Sequence, residues 1–189
     1  MRIIAMVFVF LCSALQLVFA DNQELQALAD ADQLARIEAR LDHKDRQRRM
    51  RVFEILATGE PLSPVDKVNA ALILQHTEMR FCGEQLVSIS PENHLLAHHL
   101  AKSAFQSGNQ NAAFLVAQTI DRYLVVTEGR QRYGTNRLID QVTGEEYLPE
   151  IDRNTSDTER TLYGVPSLSA LLAKFPERKS TLQGDCTGH

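Results

Sequence analysis

Apolar residues recur at helical spacing through the first part of the chain. The stretch from residue 21 to residue 58 contains no proline or glycine. Its apolar positions lie three or four residues apart, or at multiples of that interval: Leu25, Leu28, Leu34, Ile37 and Leu41. This pattern predicts one long helix or two helices in succession.

Two Ser-Pro pairs predict further helix starts. Ser63-Pro64 and Ser90-Pro91 each place a capping hydroxyl before a proline at the first helical position, where a missing N–H costs nothing. The first of these helices carries one stripe, made of Val65, Val68, Leu72, His76 and Met79. Helices are also predicted over residues 91 to 106 and 111 to 127, the second being the most buried and ending at Gly129.

The sequence becomes polar after residue 130. Two short apolar patches, Leu138-Ile139 and Tyr147-Leu148, predict a small β-hairpin or an ordered loop over residues 130 to 152. A short helix over residues 167 to 175 completes the domain. The predicted fold is mainly α, a single-domain bundle of about five helices with a small β-hairpin or irregular cap. The helical domain covers residues 21 to 176, and residues 177 to 189 form a flexible tail.

The N-terminus has the layout of a secretory signal peptide. Arg2 precedes an almost wholly apolar run over residues 3 to 19, and Val18-Phe19-Ala20 provides a cleavage site before Asp21. The prediction is a signal peptide over residues 1 to 20, export to the periplasm or medium, and no stable membrane span after cleavage. The alternative is an uncleaved membrane anchor.

Composition and charge narrow the classes of function. The chain is 44% apolar and 23% charged, as expected for a folded globular protein. Its formal net charge of −4 gives no general attraction for polyanions, so no nucleic-acid partner is expected. The sequence has no phosphate-binding glycine loop, no Gly-x-Ser-x-Gly elbow and no His-Glu-x-x-His helix, and no cofactor is predicted.

Cysteines and histidines leave weaker signals. Cleavage would leave Cys82 and Cys186, which either form one disulfide or remain as a buried thiol and a free thiol. The sequence leaves both alternatives open.

The histidines at 94, 98 and 99 predict a solvated helix face and no metal site, because two imidazoles one turn apart do not complete a zinc site. The basic stretch over residues 43 to 51 is interpreted as another solvated face, with an anion-binding patch as the alternative.

The most buried predicted helix carries two opposite charges. Asp121 and Arg122 lie in an otherwise apolar segment, and burying either charge without a partner is costly. They form either a structural ion pair or part of a ligand site. His76, on another apolar stripe, is either a core histidine or a general base that a carboxylate orients, with Asp121 as the candidate carboxylate.

A convergence of these polar groups is the central hypothesis from the sequence. One shared network would satisfy several buried polar groups at once. The candidate catalytic residues are His76 and Asp121. The candidate ligand-binding residues are Arg36, Arg122, Gln131, Tyr133, Thr135 and Arg160.

Taken in order, the polar motifs resemble those of an uncharacterised, frequently exported bacterial family. The motifs are Asp32-Gln33 with Arg36, Gln75-His76, Asp121-Arg122, Gln131-x-Tyr133-Gly134-Thr135, Arg160 and Gly164-Val165-Pro166. The family signature is DQ-x-x-R, QH, DR, Q-x-YGTQ and R-x-x-x-GL-P, and the resemblance covers residues 24 to 170. Asn136 replaces the glutamine of the signature. The resemblance implies that Asp32, Gln33 and Arg36 meet the other motifs in space, but it implies no reaction.

Two classes of function follow. The first is an exported binding module for a small polar ligand or a cell-envelope glycan or peptide. The alternative is a hydrolase or transferase in which His76 or Asp121 is the general base and Arg122 or Arg160 stabilises developing negative charge. A third interpretation is a buried network with a purely structural role. A sealed network would favour structure, and an open one with His76 exposed would favour chemistry.

Overall fold

The computed structural model describes residues 20–38, 44–83 and 85–179. The predicted signal peptide up to residue 19, Cys186 and the predicted tail from residue 180 lie outside the described residues. The described part is mainly helical, as predicted, with 57% of it in helices. No helix among the described residues is long and apolar enough to cross a membrane.

Five helices of twelve or more residues form the main body. They are α1 (Gln23–Ile37), α2 (Asp45–Ala57), α3 (Pro64–Gln75), α4 (Pro91–Gln106) and α5 (Ala113–Glu128). The first predicted helical stretch is therefore two helices. Two shorter helices follow, α6 (Asp157–Leu162) and α7 (Leu168–Lys174), so the described residues contain seven helices where about five are predicted.

Small residues let α4 pack against both α3 and α5. Ala97, Ala101 and Ala104 follow one face of α4 at intervals of four and three residues, and all three are fully buried. Ala70 and Ala71 of α3 are also fully buried and belong to the same core as Ala97 and Ala101. This core positions the C-terminal end of α3 against α5.

Local capping rules explain where two of these helices begin and end. Ser63 and Asp66 form a reciprocal capping box ahead of α3, with Pro64 at the first helical position. Gly129 ends α5 in the left-handed conformation, as predicted. The hydroxyl of Ser90, however, makes no capping hydrogen bond to α4.

The β structure is larger than the predicted hairpin. Strands β1 (Met79–Cys82) and β2 (Gln85–Ser88) form an antiparallel pair where the sequence predicts the end of a helix, because α3 stops at Gln75. The cap contains β3 (Arg130–Gln131), β4 (Leu138–Ile139), β5 (Glu146–Ile151) and β6 (Glu177–Arg178). Strand β5 pairs antiparallel with β4 and parallel with β3 and β6. Residues 177 and 178, assigned to the tail from the sequence, are thus part of this sheet.

Cys82 forms a disulfide in the structure. This rules out the alternative of a buried thiol at that position. Both other cysteines of the chain, Cys12 and Cys186, lie outside the described residues. The pairing of Cys82 with Cys186 therefore stays a prediction.

Gly134 allows the cap to approach α7. Its φ is +84°, and a Cβ atom there would lie 2.8 Å from Leu171 Cδ1 and 2.9 Å from Ile151 Cδ1. Both of these side chains are buried in the core of the cap. A side chain at position 134 would therefore force two packed residues to move.

We expect Gly134→Ala to lower the free energy of unfolding by about 2 to 4 kcal/mol, from left-handed backbone strain and overpacking together. Gly144→Ala is the matched control, because Gly144 has φ +74° but a Cβ added there would have no other atom within 4 Å. It should cost only the backbone strain, about 1 kcal/mol. Urea denaturation of both variants measures the difference; equal losses would show that the packing around Gly134 is loose.

Candidate functional site

The predicted site residues belong to two separate networks of hydrogen bonds and ion pairs. The first, called the loop anchor, comprises Asp121, Gln131, Tyr133, Thr135 and Arg160. The second, called the arginine site, comprises Asp32, Arg36, Arg48, Arg49, His76 and Arg122. Within the described residues, no hydrogen bond or ion pair joins His76 to Asp121, so the single convergence predicted from the sequence is wrong in this respect.

The carboxylate of Asp121 organises the loop anchor. It accepts hydrogen bonds from the backbone N–H groups of Arg132, Tyr133 and Thr135 at 2.7, 2.8 and 2.9 Å. The Thr135 hydroxyl donates a fourth at 2.8 Å. Burial raises the pKa of Asp121, and these hydrogen bonds oppose that shift. The carboxylate thus fixes the loop that follows α5.

The other members of the loop anchor hold the same loop. Gln131 Nε2 donates to the carbonyl of Pro149 at 3.1 Å, and its Oε1 accepts from the N–H of Asn136 at 2.9 Å. The Arg160 guanidinium donates to the carbonyls of Tyr133, Arg132 and Asp152. The Tyr133 hydroxyl donates to Glu159 at 2.7 Å.

The loop anchor is sealed from solvent. Asp121, Gln131 and Arg160 are each 0% exposed. Most of their hydrogen bonds go to the backbone of the loop. The arrangement supports a structural role for Asp121, Gln131, Tyr133, Thr135 and Arg160.

The arginine site is built around Asp32 of α1. Asp32 Oδ2 lies 2.6 Å from His76 Nδ1 and accepts a 3.0 Å hydrogen bond from Gln33. Its other oxygen lies 3.5 Å from Arg36 Nη2 and 3.6 Å from Arg48 Nε. The carboxylate that orients His76 is therefore Asp32, and the sequence-based choice of Asp121 is wrong. The contact of Asp32 with His76 agrees with the implied meeting of the first two polar motifs.

Two arginines of this site hydrogen-bond to the C-terminal end of α3. Arg122 Nη1 donates to the carbonyl of Gln75 at 2.7 Å, and Arg49 Nη1 donates to the carbonyl of His76 at 3.2 Å. Cations stabilise the negative end of a helix dipole, which explains both contacts. Among the described residues, neither arginine forms an ion pair with a carboxylate.

Positive charge is in excess among Arg36, Arg48, Arg49 and Arg122, although Asp45 pairs with Arg36 and Arg48 at 2.5 Å and Asp32 lies beside the same two arginines. Burial, with a smaller effect from the charge of Arg36, lowers the pKa of Arg122 to about 10, and Asp32 opposes that shift. Burial also lowers the pKa of Arg49. Arg122 Nε is buried without a hydrogen-bond partner, as are Gln75 Oε1 and His94 Nδ1 on the neighbouring helices α3 and α4. Such unsatisfied groups are typical of places where water or an ion binds.

Sequence reasoning missed Arg48 and Arg49. The basic stretch is predicted to be a solvated face, yet Arg48 is 5% exposed and Arg49 is 7% exposed. Both precede Val52 by three or four residues, which places them on the buried side of α2. This relation to the next apolar residue is the signal that could have identified them.

The prediction of a solvated histidine face on α4 is also wrong in part. His94 is fully buried, with Nε2 3.0 Å from the Ser88 hydroxyl. His98 is half-buried and bonds to the carbonyl of Val116, whereas His99 is exposed as predicted. Within residues 20–38, 44–83 and 85–179, no group of three or more His, Cys, Asp or Glu side chains could hold a metal ion.

A cleft of about 270 Å³ lies elsewhere, between the β1–β2 hairpin and the cap. Its walls include Phe81, Leu86, Val125, Leu138 and Tyr147, and none of the predicted site residues lines it. The lining also includes Lys179 and the ion pair of Asp140 with Arg178, so the cleft combines apolar walls with charged groups.

Comparison with known proteins gave no match to a family model, a curated protein or a solved structure. The family resemblance therefore stays a prediction.

We expect Asp121→Asn to destabilise the fold by about 2 to 4 kcal/mol, since the amide cannot accept from all four donors and leaves some of them buried and unpaired. Binding at the arginine site should be unchanged in the molecules that remain folded. Chemical denaturation and ligand titration at a temperature well below unfolding measure the two effects. Loss of binding without loss of stability would show that Asp121 belongs to the functional site and is not only structural.

His94 should make stability depend on pH. Burial, aided by the charges of Arg122 and Arg49, lowers its pKa from 6.5 to about 4. The unfolded chain therefore binds this proton between pH 6.5 and pH 4 and the folded state does not, so the contribution is present above pH 6.5 and is lost as the pH falls to 4. The expected loss in the free energy of unfolding is about 3 kcal/mol.

Urea denaturation of the wild type, His94→Gln and His99→Gln at several pH values tests this. The stability difference between wild type and His94→Gln should shift by that amount between pH 7 and pH 4, and exposed His99 should produce no such shift. A pH-independent difference would show that His94 is protonated equally well in the folded state.

Proposed function

We propose that this protein is an exported binding module whose arginine site holds a small anionic ligand. Export rests on the signal-peptide pattern of residues 1 to 20, and the ligand class rests on the chemistry of the site. A phosphate or carboxylate group is the complementary ligand, because guanidinium groups bind both through charge-assisted hydrogen bonds. Cell-envelope glycans and peptides carry such groups, which agrees with a location outside the cytoplasm.

This proposal rests on the burial and the incomplete hydrogen bonding of the Arg122 guanidinium. Its guanidinium has one hydrogen bond to a backbone carbonyl, a buried Nε without a partner and no carboxylate partner among the described residues. Its pKa is lowered to about 10, so the protein destabilises the charged form. An anion bound beside Arg122 would relieve that destabilisation. Arg160 of the loop anchor also has a buried Nε without a hydrogen-bond partner, but Asp157 lies 3.7 Å from that nitrogen and balances its charge.

Access to the site supports the same proposal. The side chain of Arg36 is 35% exposed and that of His76 is 14% exposed, whereas Asp32 is buried beneath them. Asp45, whose side chain is 24% exposed, pairs with both Arg36 and Arg48 at 2.5 Å. An anion approaching from solvent would reach Arg36 and His76 before the buried Asp32, in competition with Asp45 for Arg36.

A hydrolase or transferase is the second candidate, and the contact between His76 and Asp32 favours it. A carboxylate on one imidazole nitrogen leaves the other nitrogen for proton transfer. His76 is then the candidate general base. Asp121 is not, since four donors already occupy its carboxylate.

Isothermal titration with inorganic phosphate at fixed ionic strength tests the binding proposal. Wild type should bind, and Arg122→Gln should lose about 1.5 to 3 kcal/mol of binding free energy, roughly ten- to a hundredfold in affinity. Arg130→Gln is the matched control, because Arg130 is an exposed arginine paired with Glu128. It should bind as the wild type does.

Thermal unfolding provides a second readout. Saturating phosphate should raise the melting temperature of the wild type and of Arg130→Gln, but not that of Arg122→Gln. Equal affinity in wild type and Arg122→Gln, or no binding of phosphate by the wild type, would contradict the proposal.

A further inference from the structure

His76 ends α3 with one ring nitrogen held by a buried carboxylate. Nδ1 lies 2.6 Å from Asp32 Oδ2, and His76 is the C-cap residue of the helix. A carboxylate can only accept, so the hydrogen lies on Nδ1 and a neutral ring has its lone pair on Nε2. The Asp32 contact thus fixes both the orientation of the ring and its tautomer.

The second ring nitrogen is free for chemistry. Among the described residues, His76 Nε2 has no hydrogen-bond partner, and the side chain is partly exposed to solvent. Helix α4 has three histidines, of which His94 and His98 are each held through one ring nitrogen, by Ser88 and by the carbonyl of Val116, while His99 is exposed. His76 differs from His94 and His98 in that a carboxylate orients its ring.

The cations of the arginine site lie at the same turn as this nitrogen. Arg122 and Arg49 bind the carbonyls of residues 75 and 76, and Arg36 shares the Asp32 carboxylate with His76. Arg36 is close enough to Arg122 for its charge to affect it. A base and an anion-stabilising group are therefore adjacent, which is the combination that hydrolysis of an anionic ester requires.

We propose that the arginine site hydrolyses a phosphodiester, with His76 as the catalytic general base and Asp32 as a positioning residue. This inference rests on the anion binding proposed above. A diester fits better than a monoester because monoesters react through a loose transition state in which an activated nucleophile contributes little. A diester gains most from a base that deprotonates water.

The reaction is an in-line displacement by water. His76 Nε2 accepts a proton from water as the water oxygen forms a bond to phosphorus and the bond from phosphorus to the leaving oxygen breaks. The leaving oxygen, on the opposite side of phosphorus, takes a proton from solvent, and the imidazolium releases its proton to solvent, so the products are a phosphomonoester and an alcohol. Arg122, which has no carboxylate partner among the described residues, stabilises the charge on the nonbridging oxygens, whereas Arg36 is already paired with Asp45 at 2.5 Å. No oxidant or other co-reactant is consumed.

The probe is bis(4-nitrophenyl) phosphate, whose leaving group needs no protonation and therefore isolates the role of the base. Wild type should release 4-nitrophenolate, and His76→Gly should do so roughly 10²- to 10⁴-fold more slowly. Added imidazole should restore a large part of the lost rate, because it can occupy the space of the missing ring. Arg130→Gln should have wild-type activity.

Asp32→Asn tests the positioning role. We expect this substitution to lower kcat by roughly 10²- to 10⁴-fold with little change in KM, because the His76 ring would no longer be held with its hydrogen on Nδ1. A purely structural role would instead lower the folded fraction and leave the kcat of the folded enzyme unchanged. Asp32 is buried among ion pairs, so Asp32→Asn can fail to fold. A further measurement therefore uses only the wild type. Inorganic phosphate should inhibit competitively, with an inhibition constant equal to its dissociation constant from titration.

The outcomes separate this inference from the binding proposal. Phosphate binding by a wild type that hydrolyses the probe no faster than His76→Gly would overturn catalysis and leave binding intact. Hydrolysis that imidazole does not restore in folded His76→Gly, or that phosphate does not inhibit, would also overturn it. Absence of both phosphate binding and hydrolysis would overturn both proposals.

Discussion

The α5 helix carries a carboxylate and a guanidinium at neighbouring positions, and within the described residues no ion pair joins Asp121 to Arg122. Successive residues on an α-helix lie about 100° apart, so the two side chains leave the helix in different directions. Each charge must therefore be satisfied separately. Asp121 takes four donors from the loop after α5, and Arg122 reaches the end of α3. One helix thereby attaches the β cap and delivers a cation to the arginine site.

The two networks stabilise their buried charges in different ways. The loop anchor saturates its carboxylate with donors and excludes solvent, which is the arrangement expected of a structural network. In the arginine site, Arg49 and Arg122 oppose the C-terminal end of a helix dipole, equivalent to roughly half an elementary charge. That partial charge cannot balance two guanidiniums. The carboxylates whose charges act on them, Asp45 and Glu78 on Arg49 and Asp32 on Arg122, form no ion pair with either arginine among the described residues. Both guanidiniums can therefore accept an anion as a partner, and this is the physical basis of the proposed function.

Local rules predicted much of the fold. The Ser63-Pro64 start of α3, the left-handed Gly129 and the apolar spacing of α4 and α5 depend on near neighbours in sequence. The early end of α3 and the β1–β2 pair depend on tertiary contacts. The partner of His76 could not be found from its surroundings, since Asp32 lies 44 residues earlier. Reasoning from one helix at a time favours Asp121 because it is buried, but burial alone does not tell which face of α5 carries it.

Diffraction from a crystal containing tungstate, an anomalously scattering analogue of phosphate, shows whether the arginine site holds an anion. We expect an anomalous peak within hydrogen-bond distance of the Arg122 guanidinium and on the His76 Nε2 side of the C-terminal end of α3. The peak should be absent in a crystal of Arg122→Gln. Tungstate bound only at exposed arginines such as Arg130 or Arg137, with none beside Arg122, would contradict the claim that the arginine site is an anion site.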